Sequence, residues 1–282
     1  ITWLMQLPDN LLHVEAGVQS LDDKVLYAVK RPATAGKTMG GLNALCQLNN
    51  FEVHADLIAG LPQQDLAGII RDVTELAILG PEEIQLETLK VLPGTPLREH
   101  LPDQMVYSPD PPYEVLRTVH LSSEDLMTAR QISNLLESYY NNPVLRPVFR
   151  FAVLQRENFL LRFLETASKR FSDFAARPAM TARFNTLEEY AADDSCLLEL
   201  IKFAHLVTAA SPAKYDLKLH KSQPEMFDKT IDASFPKRYC EADFAWNVDE
   251  IYRDQTCSPE MKACRFRFFR YQSGHPGEYW KV

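Results

Sequence analysis

Two hydrophobic periodicities alternate along residues 1–100. Runs with apolar side chains at every second position are typical of half-buried β-strands, and they occupy residues 12–19, 51–59 and 83–91. Between them, helical spacing of apolar positions predicts helices over residues 21–30, 34–48 and 65–79, and Ser20 is the predicted cap of the first. Strands and helices that alternate with short connections form parallel sheets with right-handed crossovers. The pattern therefore predicts half of a β/α barrel.

After about residue 101 the pattern becomes mainly helical. Ser122 is predicted to begin a long helix, a helical pattern rich in Phe, Leu and Arg covers residues 145–210, and short strand-like runs alternate with turns over residues 211–282. We therefore predict an α/β protein with two domains. A partial (β/α) barrel occupies residues 1–105, and a mainly α-helical C-terminal domain with short terminal strands occupies residues 106–282.

Each predicted strand places polar residues on the face opposite its apolar side chains. A small closed barrel would normally fill its interior with apolar side chains, so polar residues on that face favour a wide or open barrel that lines a polar ligand. The alternative is a sheet whose polar face lies in solvent. The residues concerned are Glu15, Gln19, His54, Asp56, Gln85 and Glu87.

Composition narrows the classes of function. The chain has 282 residues, of which 46% are hydrophobic and 24% charged, as in ordinary globular proteins. Its net charge of −8 argues against nonspecific nucleic-acid binding, which needs Lys and Arg to displace counterions. We expect no signal peptide, and the sequence contains no apolar run of the about 20 residues that a membrane helix needs. We expect a cytoplasmic protein that acts on a small molecule, with no membrane partner.

The cysteines provide no recognisable metal motif. No pair forms CxxC or CxxxCxxC, and five is an odd number for a disulfide framework. Free thiols in a reducing cytoplasm are the expected state, and no residue is assigned to a metal. The five are Cys46, Cys196, Cys240, Cys257 and Cys264.

A series of motifs runs through the first 97 residues. They are Glu15-Ala-Gly17-Val-Gln19-Ser20, Val25-Leu26, Arg31, His54-Ala-Asp56-Leu-Ile58-Ala-Gly60-Leu-Pro62, Ile84-Gln85-Leu86 and Leu89-Lys-Val-Leu-Pro-Gly94-Thr95-Pro96-Leu97. In their order and spacing these motifs resemble the later barrel strands of radical S-adenosylmethionine (SAM) enzymes. The resemblance covers about 90 residues and is closest to oxygen-independent coproporphyrinogen oxidase and to proteins that carry a cobalamin-binding domain.

The resemblance implies which residues bind SAM. In the coproporphyrinogen oxidase group a Gln, an Arg twelve residues later and an Asp contact SAM, and they correspond to Gln19, Arg31 and Asp56. The planar guanidinium suits the α-carboxylate of SAM, and a carboxylate can accept both hydroxyls of the ribose. The resemblance implies no catalytic side chain. It places four further residues at the cofactor, namely Glu15, Gly17, Ile58 and Gly60.

A second similarity lies farther along the chain. It is to the C-terminal extension, of unknown function, of one group of cobalamin-binding radical SAM proteins, and it fades after about residue 145. The motifs are Tyr107, Pro111-Pro-Tyr-Glu-Val-Leu116, Leu121-Ser-Ser-Glu124 and Glu137-Ser-Tyr-Tyr-Asn141.

The CxxxCxxC motif that holds the four-iron, four-sulfur cluster in these enzymes is absent. The resemblance implies that this motif and the cobalamin-binding domain precede Ile1, so we expect a piece of a longer protein. In intact form it would bind SAM and cleave it reductively to a 5′-deoxyadenosyl radical, whereas this chain alone would be inactive. The alternative is a non-catalytic module that binds a substrate or partner and retains a relic half-barrel. The sequence predicts neither the substrate nor the oligomeric state.

Overall fold

A computed structural model describes residues 3–9, 11–48, 50–171, 177–208, 212–221, 238–270 and 278–282. By its internal contacts the chain divides into two compact units. The first contains residues 1–143 and 156–178, and the second contains residues 144–155 and 179–282. Each unit has its own sheet, and each is described by itself below.

The first unit is organised around a three-stranded parallel sheet in the order β1-β2-β3. This order confirms the predicted parallel sheet with neighbouring strands adjacent in sequence. Among the described residues the sheet stays open, so the barrel itself is not seen. The strands are β1 (His13–Gln19), β2 (Glu52–Ala59) and β3 (Glu83–Thr88). The connecting helices are α1 (Asp23–Ala28), α2 (Ala35–Cys46) and α3 (Leu66–Leu79).

Helices α2 and α3 pack on the apolar face of the sheet. Val53 and Ala55 of β2 and Val73 and Leu76 of α3 are fully buried there. Asp65 caps α3 by accepting a hydrogen bond from the Gly68 amide. The helix ends at Gly80, whose φ of 94° lies in the left-handed region that glycine adopts without strain. Burying this one face leaves the opposite face of the sheet available for polar side chains.

The start of α1 differs from the sequence prediction. Asp22, and not Ser20, caps this helix by accepting from the Lys24 amide at 2.8 Å. Ser20 is completely buried, and its hydroxyl donates to Asp72 of α3 at 2.7 Å. The same hydroxyl accepts from the Asp22 amide at 3.1 Å, so Ser20 joins the turn before α1 to α3, and the helix itself begins after Asp22. The predicted cap was therefore wrong by two residues.

The chain after β3 returns to the same sheet. Short elements come first: α4 (Pro96–Glu99), β4 (Val106–Tyr107) and β5 (Val115–Arg117). Helix α5 (Ser123–Leu135) begins with the predicted cap at Ser122 and runs into a π-helical turn over Leu136–Tyr140. Both α5 and this turn contact β3. Helix α7 (Phe159–Arg170) packs against α5 and completes the first unit.

Asn141, which follows the π-helical turn, binds the backbone of β3. Its side-chain Oδ1 accepts from the Ile84 amide at 3.0 Å, and its Nδ2 donates to the Ile84 carbonyl at 3.1 Å. The Tyr140 hydroxyl donates to the Pro81 carbonyl at 2.6 Å. The amide of Asn141 thus occupies the hydrogen-bonding positions that a neighbouring strand would use at Ile84.

The second unit combines helices with a four-stranded antiparallel sheet in the order β6-β7-β8-β9. Phe203 lies at its centre, with ring centroids 5.3 Å from Phe266 and 4.8 Å from Tyr279. The helices are α6 (Arg146–Gln155), α8 (Met180–Tyr190), α9 (Ser195–Val207) and α10 (Val248–Arg253). The strands are β6 (His220–Lys221), β7 (Arg238–Trp246), β8 (Met261–Arg270) and β9 (Tyr279–Lys281).

The structure is therefore mixed α/β, with a parallel sheet near the N-terminus and helices followed by strands near the C-terminus. In the described parts of the chain, none of the helices combines the length and the apolar character needed to span a bilayer.

Candidate functional site

The candidate site is the polar face of the parallel sheet. Paired residues of neighbouring strands point to the same side of a sheet, and Gly17 pairs with Asp56, which pairs with Gln85. His54 likewise pairs with Glu15 and Glu83. The predicted alternation of faces is seen throughout β2, where buried apolar residues alternate with exposed or half-buried ones. The polar face carries His13, Glu15, Glu52, His54, Asp56, Glu83, Gln85 and Glu87.

At the carboxyl end of β1, Gln19 and Arg31 meet above Gly17. A Cβ atom built on Gly17 would lie 3.1 Å from Nε2 of Gln19 and 3.4 Å from Nη2 of Arg31. The Arg31 guanidinium also donates to the Gly17 carbonyl. Gln19 adopts a φ of 69° just after an irregularity in the β1–β2 pairing, which turns it out of the regular ladder. Glycine at position 17 therefore leaves room for two polar groups that a side chain would displace.

Arg31 makes no carboxylate ion pair within the described part of the chain. Its backbone amide donates to the Leu26 carbonyl at 2.9 Å, which fixes the residue just after α1. A guanidinium has five donors in a planar fork, so a single carbonyl leaves most of them available to a ligand.

Asp56 lies in the middle of this face, next to Gly17 on the adjacent strand. Partial burial is the main cause that raises the pKa of its carboxyl, and the neighbouring carboxylates of Glu15, Glu83 and Glu87 raise it further, while His54 lowers it. Desolvation and like charges both disfavour the ionised form. The face is therefore electronegative and better suited to hydroxyls or cations than to an isolated anion.

We expect Asp56→Asn to stabilise the ligand-free chain at neutral pH. Because the pKa of Asp56 is raised in the folded state, its ionised form destabilises the fold. This penalty is fully present above the folded-state pKa. It vanishes below the unfolded-state value near 3.8, where the carboxyl is protonated in both states. The gain should be below about 1 kcal/mol because solvent screens a half-exposed group. Urea unfolding at pH 7 and at low pH measures it. An equal effect at both pH values would contradict the assigned cause.

The turn after β2 is held by a buried amide. Gln64 accepts from the Gly60 amide at 2.9 Å and donates to the Ile58 carbonyl at 2.9 Å. Gly60 is buried with a φ of 103°, and a Cβ there would lie 3.4 Å from Cβ of Val115. Turn geometry and packing therefore account for this glycine. Ile58 is half-buried, one alternation along β2 from Asp56.

A second cluster lies at the amino end of the same face. The His13 Nδ1 atom is 3.3 Å from Oε2 of Glu52, and the His54 Nε2 atom is 3.8 Å from the same oxygen. The His54 Nε2 atom is also 3.8 Å from Oε2 of Glu83. No sequence motif points to a role for His13 or Glu52, which are 39 residues apart along the chain. Only the strand register, which pairs them directly, reveals the cluster.

These observations define a mixed α/β protein with a polar parallel-sheet face as its candidate site. The family model for a protein of unknown function (DUF4080) matches residues 104–258, which is more than half of the chain. The chain therefore belongs to the DUF4080 family. The match continues well past residue 145, where the sequence resemblance fades, and the polar face lies before it. A comparison with curated proteins found no match.

Proposed function

We propose that the polar face binds SAM, and that in the longer protein of which we take this chain to be a part the sheet forms the second half of a radical SAM barrel. The observation that carries the proposal is the arrangement above Gly17. Gln19 and Arg31 converge there from different segments, and Asp56 is the paired residue on the next strand. These are the three residues that the family resemblance implies as SAM contacts.

The three side chains fit different parts of SAM. Arg31 would bind the α-carboxylate through the donors that the Gly17 carbonyl does not use. Asp56 would accept hydrogen bonds from the ribose hydroxyls. These hydroxyls are neutral, so they add no negative charge beside the carboxylates that surround Asp56. Gln19 offers a donor and an acceptor to either group. Glu15, on the same face, adds a further acceptor near the ribose.

Reductive cleavage requires an iron–sulfur cluster to supply an electron, and this chain contains no CxxxCxxC motif to hold one. The proposal therefore assigns to these residues the binding and orientation of SAM and assigns the cluster ligands to another segment. The same holds for cobalamin, the second cofactor that the resemblance implies, since no residue of this chain is assigned to it. A small-molecule substrate and a cytoplasmic location remain parts of the proposal.

The test is binding of radiolabelled SAM to the chain by equilibrium dialysis, with S-adenosylhomocysteine as competitor. We expect saturable binding that the competitor abolishes. In the longer protein, after anaerobic reconstitution with iron and sulfide, we expect a reductant to release 5′-deoxyadenosine. Saturable binding without 5′-deoxyadenosine would favour the non-catalytic module. Absence of SAM binding in both proteins would refute the proposed function.

A further inference from the structure

We propose that His13, Glu52 and His54 bind one divalent transition-metal ion, with Zn²⁺ the best fit. One ligand atom from each residue lies within 4.8 Å of the other two. Four ligands around Zn²⁺, at bond lengths of about 2.1 Å, stand about 3.4 Å apart in a tetrahedral site. The distances of 3.3 Å and 3.8 Å from the two imidazoles to Glu52 are therefore close to those of a metal-bound set.

The donors also have the right chemistry. Two imidazole nitrogens and one carboxylate oxygen form a ligand set of catalytic zinc sites, which keep a fourth position open for water or substrate. The side chains of His13 and Glu52 are 63% and 50% exposed, whereas that of His54 is 15% exposed. An ion could thus enter from solvent and be held against the sheet by the more buried His54.

The scaffold keeps the three donors on one face. His13 and Glu52 are the first residues of adjacent strands and pair directly, and His54 is two residues along β2 from Glu52. Ligands on hydrogen-bonded strands need little ordering when an ion binds, because the backbone already fixes their directions. The two imidazole rings are edge to face, with centroids 5.6 Å apart, so small rotations bring both nitrogens towards one point.

Neighbouring charges favour a cation at this position. Oε2 of Glu83 lies 3.8 Å from Nε2 of His54, the same nitrogen that faces Glu52, and can serve as a fourth ligand. Asp56, one alternation along β2, belongs to the same electronegative face. A divalent ion would offset the repulsion among these carboxylates. This site lies at the amino end of the strands, away from Gly17 and Arg31, and does not depend on SAM binding.

The test uses the whole chain with Zn²⁺ and Co²⁺ alone as probes. Zn²⁺ affinity is measured by competition with a chromophoric chelator. Co²⁺ binding is followed by visible absorption, which becomes intense when the protein holds the ion with a low coordination number. We expect one ion per chain. His13→Ala, His54→Ala and Glu52→Gln should each weaken Zn²⁺ binding at least tenfold and remove the Co²⁺ band. Circular dichroism shows whether each variant folds. Because Gln has nearly the same size and shape as Glu, Glu52→Gln should fold even if a histidine variant does not.

The matched control is His120→Ala, since His120 is an exposed histidine outside the cluster. It should bind Zn²⁺ as the wild type does. Equal Zn²⁺ affinity in the wild type and the folded Glu52→Gln variant would overturn the proposal. Loss of binding in His120→Ala alone would do the same, because the ion would then be bound elsewhere.

Discussion

Arg31→Ala is expected to weaken SAM binding about tenfold to a hundredfold. The variant removes a charge-assisted pair with the ligand carboxylate, which is worth roughly 1.5–3 kcal/mol where water is partly excluded. Among the described residues the Arg31 guanidinium makes one hydrogen bond, an exposed one to the Gly17 carbonyl, so its removal should change folding little. Isothermal titration with SAM measures the affinity, in the cluster-containing protein if the chain alone binds too weakly.

Three further variants make this result specific. Lys24→Ala removes an exposed cation from α1 and should bind SAM as the wild type does. Asp56→Asn should cost less than Arg31→Ala, because the amide keeps one acceptor for the ribose. His54→Ala should cost least, since His54 lies farther from the carboxyl end of β2. If Arg31→Ala binds normally while His54→Ala does not, the SAM contacts implied by the family resemblance do not apply here.

Asn141→Ala is expected to lower the free energy of unfolding by about 2 kcal/mol. The change leaves the amide and carbonyl of Ile84 without their partner, and each buried unsatisfied group costs roughly 1–3 kcal/mol before water or relaxation compensates. Ile84 is completely buried, so compensation by solvent should be partial. Urea unfolding of the purified variant measures the loss.

Two substitutions control for this effect. Asn43→Ala changes an exposed asparagine on α2 and should alter stability by less than about 0.5 kcal/mol. Asn141→Asp keeps an acceptor for the Ile84 amide but sets a carboxylate oxygen against the Ile84 carbonyl and the Glu137 carboxylate, so it should be no more stable than Asn141→Ala. Equal stability of Asn141→Ala and Asn43→Ala would show that these bonds contribute nothing.

Much of the first unit was predictable because its signals are local. Period-two alternation identified the strands and the polar face of the sheet. The helix predicted over residues 65–79 was confirmed as Leu66–Leu79, with Asp65 now seen to be its cap. The convergence of Gln19, Arg31 and Asp56 was expected only through the family resemblance. Periodicity alone does not reveal that Arg31 returns to the end of β1.

The features that sequence analysis missed depend on distant partners. Ser20 accepts a local bond from the Asp22 amide, but its hydroxyl also donates to Asp72, 52 residues away, which local patterns do not predict. The His13–Glu52 pair depends on the register of β1 against β2. The hydrogen bonds of Asn141 depend on its contact with Ile84 of β3, which is 57 residues away along the chain. Such contacts follow from tertiary packing, which overrides local preferences where polar groups become buried.

The amide of Asn141 has a consequence for how this sheet can be completed. A strand that joined β3 in register with Ile84 would first have to displace an amide that already binds both backbone groups there. At β1 the outer hydrogen-bonding edge is not taken up by another strand among the described residues. A further strand, from another part of the protein or from another molecule, should therefore pair with β1 and not with β3.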